Sequence, residues 1–534
     1  MIGMSSALDV LSKLNMDSLR RNKFCIGVKR GREYRCGGDA NENAINNTVD
    51  LLVEAVNRML RWRVWDSWWI DKHREEWLSA RERLEVQLRD KYSEDIVNDL
   101  LRLVDKFINY NEKFLNYWRE VGSEVKELIE DLMNGRAEVI VRPSGVSVYY
   151  KYITLETNKP NAGGVIVQLS LKGFRGMTFR IPDMFRRTMS KEEYRRFIRK
   201  VLKALRSGFA ETDEGVEKGR PVMKTTQIWQ AIVWSLLYPG EVHIHVNAIN
   251  INEGDVTVVW RLRSNNHKSL KGAILNNANK LSKEELLAFM CTATLGDGDA
   301  SIKNVNGYSE AVIRIVMSNE NAWRPLLMRL KGMGFNCGKP EPAGGGAVYV
   351  PFHGSSAIDL VKAMISILPS ILRDVLDALD FEKWERIKRI AEMEVKFKIG
   401  ESRIVVAGYG FTVNIQKNTV ILAHKAWDEV ESVIEALRAR YGDEFHAYVN
   451  KSGKYLVIRI PMRVFKGHDD IKEQVIKVLC RKLKRAKDEE KRRTIIKHLI
   501  RLTAPTKGGG RGQRPTSLIR ENLKTVDLAW SCNG

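Results

Sequence analysis

The sequence predicts an α+β protein, with a long-helix region at the N-terminus and mixed α/β domains after it. Apolar residues recur at helical spacing from Asn46 to about Asn134. Strand-like patterns begin after the break at Asn134-Gly135. Between residues 271 and 370 the predicted order of elements is αββαββα. With a length of 534 residues, these patterns indicate several domains.

Changes of pattern divide the chain into five regions. Residues 1–134 are predicted as a helical or coiled-coil region, whose first 40 residues show no clear period and are expected to be loosely ordered. Residues 135–270 are predicted as an α+β domain with a basic helix, and residues 271–370 as the αββαββα unit. Residues 371–486 form another α+β domain, a candidate degenerate second half of that unit, and residues 487–534 a basic tail.

Four tryptophans cluster in the helical region. Aromatic rings on a surface can stack on bases, whereas buried rings anchor hydrophobic cores. The second interpretation is favoured because aromatic residues dominate cores. The cluster consists of Trp62, Trp65, Trp68 and Trp69.

The chain is strongly basic, with a formal net charge of +22 and a pI of about 9.6. Residues 186–206 hold nine Lys or Arg against two Glu, and residues 481–514 hold thirteen against three acids. Charge concentrated in this way favours a nucleic-acid partner over charge that serves solubility. For the basic helix predicted over 190–207, phosphate contact and a solvated structural face both stay open.

The cysteines are scattered without metal-type spacing, so a disulfide framework is not expected and a reducing cytoplasm is the expected location. No apolar run reaches membrane-spanning length, and the start lacks a signal-peptide pattern. Abundant Lys, Arg and Glu with scarce Gln indicate a thermophilic source. The six cysteines are Cys25, Cys36, Cys291, Cys337, Cys480 and Cys532.

The stretch from Leu286 to Ile302, LLAFMCTATLGDGDASI, carries the main functional signal. Ser282 with Glu285 three residues later predicts a capped helix start. After Met290 the side chains become small, which lets a helix approach another backbone closely. The helix then meets Gly-Asp-Gly-Asp, where the glycines free the backbone and leave room for a ligand beside a carboxylate.

A close-packing helix that ends in a presented acid resembles the signature helix of the LAGLIDADG homing endonucleases. The matching residues are Met290 to Gly298, MCTATLGDG, and the match is best at LGDG. The strands predicted around the Asn306-Gly307 turn, at Phe335 to Pro340 and at Ala347 to Phe352 complete the element order of one half of that fold. The alternative is a helix whose glycine-rich end merely turns the chain.

The resemblance implies a metal-dependent DNA-cleaving core, with Asp297 as the catalytic, metal-binding acid and Mg²⁺ as the cofactor. One carboxylate makes a poor Mg²⁺ site, so a second acid is expected from a partner subunit in a homodimer, from a degenerate half, or from Asp299. His243 and His245 share one strand face and could also hold a metal, but ordinary strand residues are the favoured interpretation. His353 is a candidate for assisting proton transfer, although a lone His is more often structural.

Basic residues in the predicted strands and in the two basic segments are the candidates for contact with nucleic acid, expected to be double-stranded DNA. They are Lys303, Arg314, Lys339, Arg195, Arg196, Arg199, Lys200, Lys203, Arg206, Lys484, Arg485, Arg492 and Arg493.

The whole chain resembles the archaeal PaRep-type repeat proteins, chiefly over Leu286 to Phe352 and Val395 to Leu479. That resemblance implies mobility or DNA association and assigns no activity. An echo between Phe179-Arg180-Ile181-Pro182 and Ile458-Arg459-Ile460-Pro461, each before a basic helix, suggests an internal duplication.

Three hypotheses follow. The leading one is a DNA-binding protein with an endonuclease-like core that hydrolyses phosphodiesters. The second is a non-catalytic nucleic-acid-binding protein that keeps the fold as a scaffold, and the third is an interaction protein of the long-helix type. Metal-dependent nicking of a plasmid would separate the first from the others.

Overall fold

The computed structural model describes residues 16–31, 33–161, 164–305, 308–317, 320–344, 347–393, 402–426, 430–452, 455–486 and 488–504. The chain divides into two compact units, Met1–Met393 and Glu394–Gly534. Both units contain helices and sheets whose strands pair antiparallel, except for the parallel pair of strands Lys23–Arg30 and Glu138–Arg142, so the predicted α+β class is confirmed.

The sequence predicted a loosely ordered segment over residues 1–40, but residues 16–31 and 33–39 are ordered; residues 1–15 and 32 lie outside the described part of the chain. The ordered residues form α1 (Met16–Arg20), β1 (Lys23–Arg30) and β2 (Glu33–Asp39). Phe24 and Cys25 are buried on β1, and this burial fixes a segment that lacks a clear period. Cys25 is joined by a disulfide to Cys36 on β2, a pairing that the scattered cysteines did not predict.

Long helices follow, as predicted, and they pack against a sheet. The ring of Trp77 stacks on Phe107 at 4.5 Å between centroids, and both rings contact Trp260 of a later strand. In the tryptophan cluster, Trp69 belongs to the core, whereas Trp68 is 40 % exposed. The helices are α2 (Glu42–Trp62), α3 (Trp68–Leu88), α4 (Glu94–Val121) and α5 (Ser123–Met133).

Five strands then extend the sheet that β1 and β2 begin, and short basic helices follow them. The strands are β3 (Glu138–Arg142), β4 (Gly145–Tyr149), β5 (Ile153–Asn161), β6 (Gly164–Leu171) and β7 (Met177–Ile181). β3 pairs parallel to β1, and β4 to β6 continue the sheet antiparallel. The helices are α6 (Met184–Thr188) and α7 (Lys191–Arg199). The sequence predicted one helix over 190–207, but the helix breaks at Lys200, so α7 and its successor are separate.

Two copies of one element order come next. The first copy contains α8 (Val201–Glu211), β8 (Glu214–Glu217), β9 (Arg220–Thr225), α9 (Ile228–Leu237), β10 (Gly240–Ile251) and β11 (Val256–Ser264). The second contains α10 (Lys283–Leu295), β12 (Asp299–Val305), β13 (Tyr308–Met317), α11 (Glu320–Gly332), β14 (Glu341–Gly344) and β15 (Ala347–His353). Their strands have the same spatial order, β8-β9-β11-β10 and β12-β13-β15-β14. An identical order in two consecutive αββαββ segments indicates a duplicated unit.

The prediction of a strand at Phe335 to Pro340 was wrong. β14 begins at Glu341, and residues 335–340 contribute only an isolated bridge at Cys337. Three helices close the first unit: α12 (Gly354–Ser366), α13 (Ser370–Leu379) and α14 (Glu382–Glu392). Among the described residues, no single helix is long and apolar enough to cross a membrane, and only α12 with α13, bent by 115°, pass together on length and composition.

The second unit contains a five-stranded sheet of order β16-β17-β18-β20-β19, with helices packed on one face. Residues 371–486 were a candidate for a degenerate second half of the αββαββα unit. The sheet of the second unit starts with a three-stranded meander, so it does not repeat the strand order of the two copies. The second copy lies upstream instead, in α8–β11. The elements are β16 (Arg403–Val406), β17 (Tyr409–Ile415), β18 (Val420–Ala426), α15 (Val430–Tyr441), β19 (Tyr448–Ser452), β20 (Tyr455–Pro461), α16 (Met462–Phe465), α17 (Asp469–Arg485) and α18 (Glu489–Thr503).

Candidate active site

The first helices of the two copies, α8 and α10, pack closely against each other. A Cβ atom built on Gly208 would lie 2.0 Å from Oγ1 of Thr292 and 2.5 Å from the carbonyl oxygen of Phe289. The Thr292 hydroxyl donates a hydrogen bond to the carbonyl of Leu205, at 2.7 Å. The small residues after Met290 therefore have the role that the sequence predicted, and they let the two backbones approach closely.

Each of these helices delivers one aspartate to the same end of the pair. Asp213 is the second residue after the end of α8, and Asp297 is the second residue after the end of α10. Gly208 and Thr292, which touch at the crossing, each lie five residues before their aspartate. A Cβ on Gly296 would lie only 2.1 Å from Oδ2 of Asp213, so the two helix tips meet closely.

The two carboxylates, called the acid pair below, interact electrostatically. Burial raises the pKa of Asp213, and the negative charge of Asp297 raises it further. Hydrogen bonds donated by Gln230 and Thr212 partly oppose that rise. Asp297 reaches solvent, but partial loss of hydration at the helix tip raises its pKa as well. Like charges held together in this way favour a cation between them.

Lys383, the second residue of α14, supplies one positive charge to the acid pair. Its Nζ donates hydrogen bonds to the carbonyl oxygens of Leu295 and Gly296, at 2.9 and 2.5 Å. A cation at the C-terminal end of a helix also interacts favourably with the helix dipole. Burial lowers the pKa of Lys383, while the charges of Asp213 and Asp297 oppose this.

Asp299, predicted as a second metal ligand, forms ion pairs with two arginines. Its Oδ2 accepts a hydrogen bond from Arg314 at 2.8 Å, and its Oδ1 lies 3.9 Å from Arg386. A carboxylate shared by two guanidinium groups has little negative charge to offer a metal ion. The acid pair is therefore the better candidate, and because one chain supplies both acids, no partner subunit is needed to complete it.

The sheet of each copy carries basic residues on the face opposite its buried side. In the second copy Lys303 is exposed on β12, and Arg314 lies on β13 with its guanidinium 5.4 Å from the Tyr349 ring centre. In the first copy the register places Lys224 beside Arg261 on the neighbouring strand. Charge pattern alone had not selected these two residues. In each copy, the sheet that comes after the acid-bearing helix therefore carries basic groups.

The histidine pair of β10 does not form a metal centre in the described part of the chain. The rings of His243 and His245 lie 5.9 Å apart, and His243 shares a hydrogen bond with Thr178. Burial lowers the pKa of His245 to about 4, so its ring is neutral at pH 7. The favoured interpretation as strand residues fits this arrangement. His353 lies 3.6 Å from Glu310 on the neighbouring strand.

Several predicted contact residues have structural roles. Arg206 was predicted to contact nucleic acid, but its guanidinium donates to the carbonyl of Leu237 at 2.6 Å and lies 5.0 Å from the Tyr238 ring centre. Arg492 donates to two backbone carbonyls, and Arg493 pairs with Glu489 at 3.5 Å.

The remaining candidates lie on surfaces. Lys339 is exposed before β14, and Lys203 is exposed on α8. Lys484 and Arg485 are exposed in the last turn of α17. Arg195, Arg196, Arg199 and Lys200 lie on or just after α7.

Asp213 was not among the predicted site residues, because this copy has Thr-Asp-Glu where the second copy has Gly-Asp-Gly. The available signal was spacing: a glycine within an apolar helix, an acid five residues later, and a strand directly after the acid.

No family model matches the sequence, and no curated protein matches it. Among solved structures, a LAGLIDADG meganuclease, I-AabMI, bound to uncleaved DNA aligns with 40 % of this chain and 96 % of its own, at 12 % identity and a TM-score of 0.13. A TM-score this low does not support a functional conclusion. The proposed function therefore depends on the geometry of the acid pair. The resemblance to PaRep-type repeat proteins stays a prediction.

Proposed function

We propose that this protein binds double-stranded DNA and hydrolyses its phosphodiester bonds in a reaction that needs a divalent metal ion. One observation carries the proposal: two copies of an αββαββ unit bring two aspartates together at the tips of their close-packed first helices. The duplication makes this a pairing of equivalent residues, which a chance contact between two surface acids would not produce.

The donor set fits Mg²⁺. This ion prefers oxygen ligands and is commonly held by one or two carboxylates together with waters and substrate phosphates. Asp213 and Asp297 supply two such carboxylates. Burial raises the pKa of Asp213 and the charge of Asp297 raises it further, as expected for neighbouring carboxylates that lack a counter-ion. When bound, the ion would polarise a phosphate and lower the pKa of a water molecule.

The residues of the chain have distinct parts in this proposal. Asp213 and Asp297 hold the cation, and Gln230 orients Asp213 through its hydrogen bond. Lys383 limits the repulsion between the acids. The basic residues of the two sheets, with Lys224 and Lys303 as exposed examples, attract the DNA backbone.

Nicking of a supercoiled plasmid tests the proposal. The full chain is incubated with plasmid in Mg²⁺, in Mn²⁺ and in a chelator. We expect metal-dependent nicking that falls at least ~100-fold in Asp213→Asn and in Asp297→Asn, because each substitution removes a charged ligand. Affinity for a short duplex should change less than about threefold.

A matched control is Asp90→Asn, an exposed aspartate at the end of α3 that should leave nicking unchanged. Equal loss of nicking in all three variants would indicate a general loss of folding and not the loss of a metal ligand. Nicking that survives in Asp213→Asn/Asp297→Asn would refute the assigned role.

One observation favours a second candidate, a non-catalytic DNA-binding protein with the same fold. Lys383 already supplies an internal cation to the acid pair, so the site has part of its charge balance without a metal ion. A salt-sensitive gel shift with no nicking in either metal would support this alternative.

A further inference from the structure

The helix α7 presents a row of positive charges that the acid pair does not use. Lys191, Arg195 and Arg199 recur every fourth residue and therefore lie along one face of the helix, roughly 6 Å apart. Arg196 and Lys200 form a second row beside them. All five side chains are exposed. These residues are called the basic ladder below.

The positive charge of the ladder is largely uncompensated. Arg196 pairs with Glu284. Within the described residues, no ion pair joins Lys191, Arg195, Arg199 or Lys200 to a carboxylate. Like charges four residues apart on a helix repel each other. An anion bound along the row would relieve this repulsion and so stabilise the folded helix.

The helix holds the ladder rigidly. Ser190 and Glu193 form a capping box at its start. On the opposite face, the ring of Phe197 lies 4.7 Å from Phe185, and the Tyr194 hydroxyl donates to Asp183. The charges are therefore presented on a fixed surface, which lowers the ordering cost of binding.

The chemistry of the ladder fits the backbone of a duplex. A depression of about 520 Å³ runs along it, lined only by ladder residues and Glu192. The two aromatic residues of α7, Tyr194 and Phe197, point inward, so the surface lacks the stacking platforms that single strands use. Rows of Lys and Arg without such platforms suit phosphate contacts that ignore sequence.

The ladder lies at the far end of the acid-bearing helices. Arg196 pairs with Glu284 in the first turn of α10, whereas Asp297 follows the last turn. The helix has 13 residues, which separates these two ends by roughly 20 Å along its axis. The ladder and the acid pair are therefore separate sites at opposite ends of α10.

We propose that the basic ladder binds the phosphate backbone of a second DNA duplex, so that one molecule holds two duplexes together. Binding at the ladder stands independently of catalysis, and only the first duplex rests on the proposed function.

A bridging assay tests the inference. The full chain carries Asp213→Asn and Asp297→Asn to prevent cutting, and a biotinylated 30-base-pair duplex captures a fluorescent duplex through the protein. The ladder variant is Lys191→Gln, Arg195→Gln, Arg199→Gln and Lys200→Gln. We expect it to lose at least ~80 % of the captured fluorescence. The magnitude of the slope of log affinity against log salt for total duplex binding should fall by about 3.6, since four phosphate contacts at about 0.9 each are lost.

The matched control removes the same charge from exposed positions elsewhere, with Lys106→Gln, Lys113→Gln, Arg119→Gln and Lys362→Gln. It should keep capture within about twofold. A charge-keeping variant, Arg195→Lys with Arg199→Lys, should also bridge, because phosphate contact needs the positive charge at these positions. Equal urea-unfolding midpoints for the ladder variant and the control variant exclude loss through misfolding. Capture by the ladder variant equal to that of the control would overturn the proposal, and so would ladder-dependent capture of single-stranded DNA or duplex RNA in place of duplex DNA.

This outcome is separable from that of the nicking experiment. If nicking is absent but capture of the fluorescent duplex depends on the ladder, the inference holds and the catalytic proposal fails. If nicking is normal and the ladder variant binds a second duplex as well as the control does, only the inference fails.

Discussion

Replacing Gly208 with alanine gives the sharpest test of how the acid pair is built. In an ordinary helix interior this change stabilises by about 1 kcal/mol, because alanine has the higher helix propensity. Here the new Cβ would lie 2.0 Å from the Thr292 hydroxyl and 2.5 Å from the carbonyl oxygen of Phe289, whereas ordinary contact begins near 3.4 Å. The hydroxyl can rotate away, but the carbonyl is backbone, so the helices must separate by roughly 1 Å.

Overpacking of this kind costs about 1–3 kcal/mol. Loss of the hydrogen bond from Thr292 to Leu205 destabilises the folded state by about 1 kcal/mol more. The higher helix propensity of alanine offsets about 1 kcal/mol of this destabilisation. We therefore expect Gly208→Ala to lower the free energy of unfolding by about 2 kcal/mol, measured by urea denaturation of the full chain. The control is Gly332→Ala at the end of α11, where a Cβ meets nothing within 4 Å and the change should be within about 0.5 kcal/mol. A Gly208→Ala protein as stable as the wild type would refute the close packing of α8 on α10.

Two further predictions concern charges beside the acid pair. Lys383→Met removes the internal cation, so Mn²⁺ affinity measured by titration should rise at least ~3-fold; an unchanged affinity would show that Lys383 does not act on the acids. Glu214 is buried between Trp234 and Tyr238, and burial raises its pKa to about 7 from an ordinary 4.5. The folded state thus keeps a proton that the unfolded chain releases between these pH values, so stability falls as pH rises from about 4.5 to 7, by about 3 kcal/mol. Glu214→Gln should flatten this part of the pH profile of urea unfolding, and a profile identical to the wild type would contradict the assignment.

Local patterns carried much of the fold. The capping box at Ser282 and the small residues after Met290 predicted the helix that ends before Asp297, and both features are present. The break at Asn134-Gly135 predicted the end of the long-helix region, and α5 ends at Met133. These signals are local, because caps, turns and alternating burial depend on neighbouring residues.

Long-range features could not be predicted in the same way. Asp213 meets Asp297 only because two repeats pack face to face, and no local signal states which helices will touch. Arg206 belongs to a basic run in the sequence, but the fold half-buries it against Tyr238. The disulfide of Cys25 likewise depends on the pairing of β1 with β2.

Direct binding of Mn²⁺, followed by electron paramagnetic resonance of the free ion, tests the central claim that the acid pair forms one metal site. We expect the wild type to bind one ion at this site, Asp213→Asn and Asp297→Asn each to weaken binding at least ~10-fold, and Asp90→Asn to match the wild type. Wild-type affinity in the protein that carries both Asp213→Asn and Asp297→Asn would contradict the account.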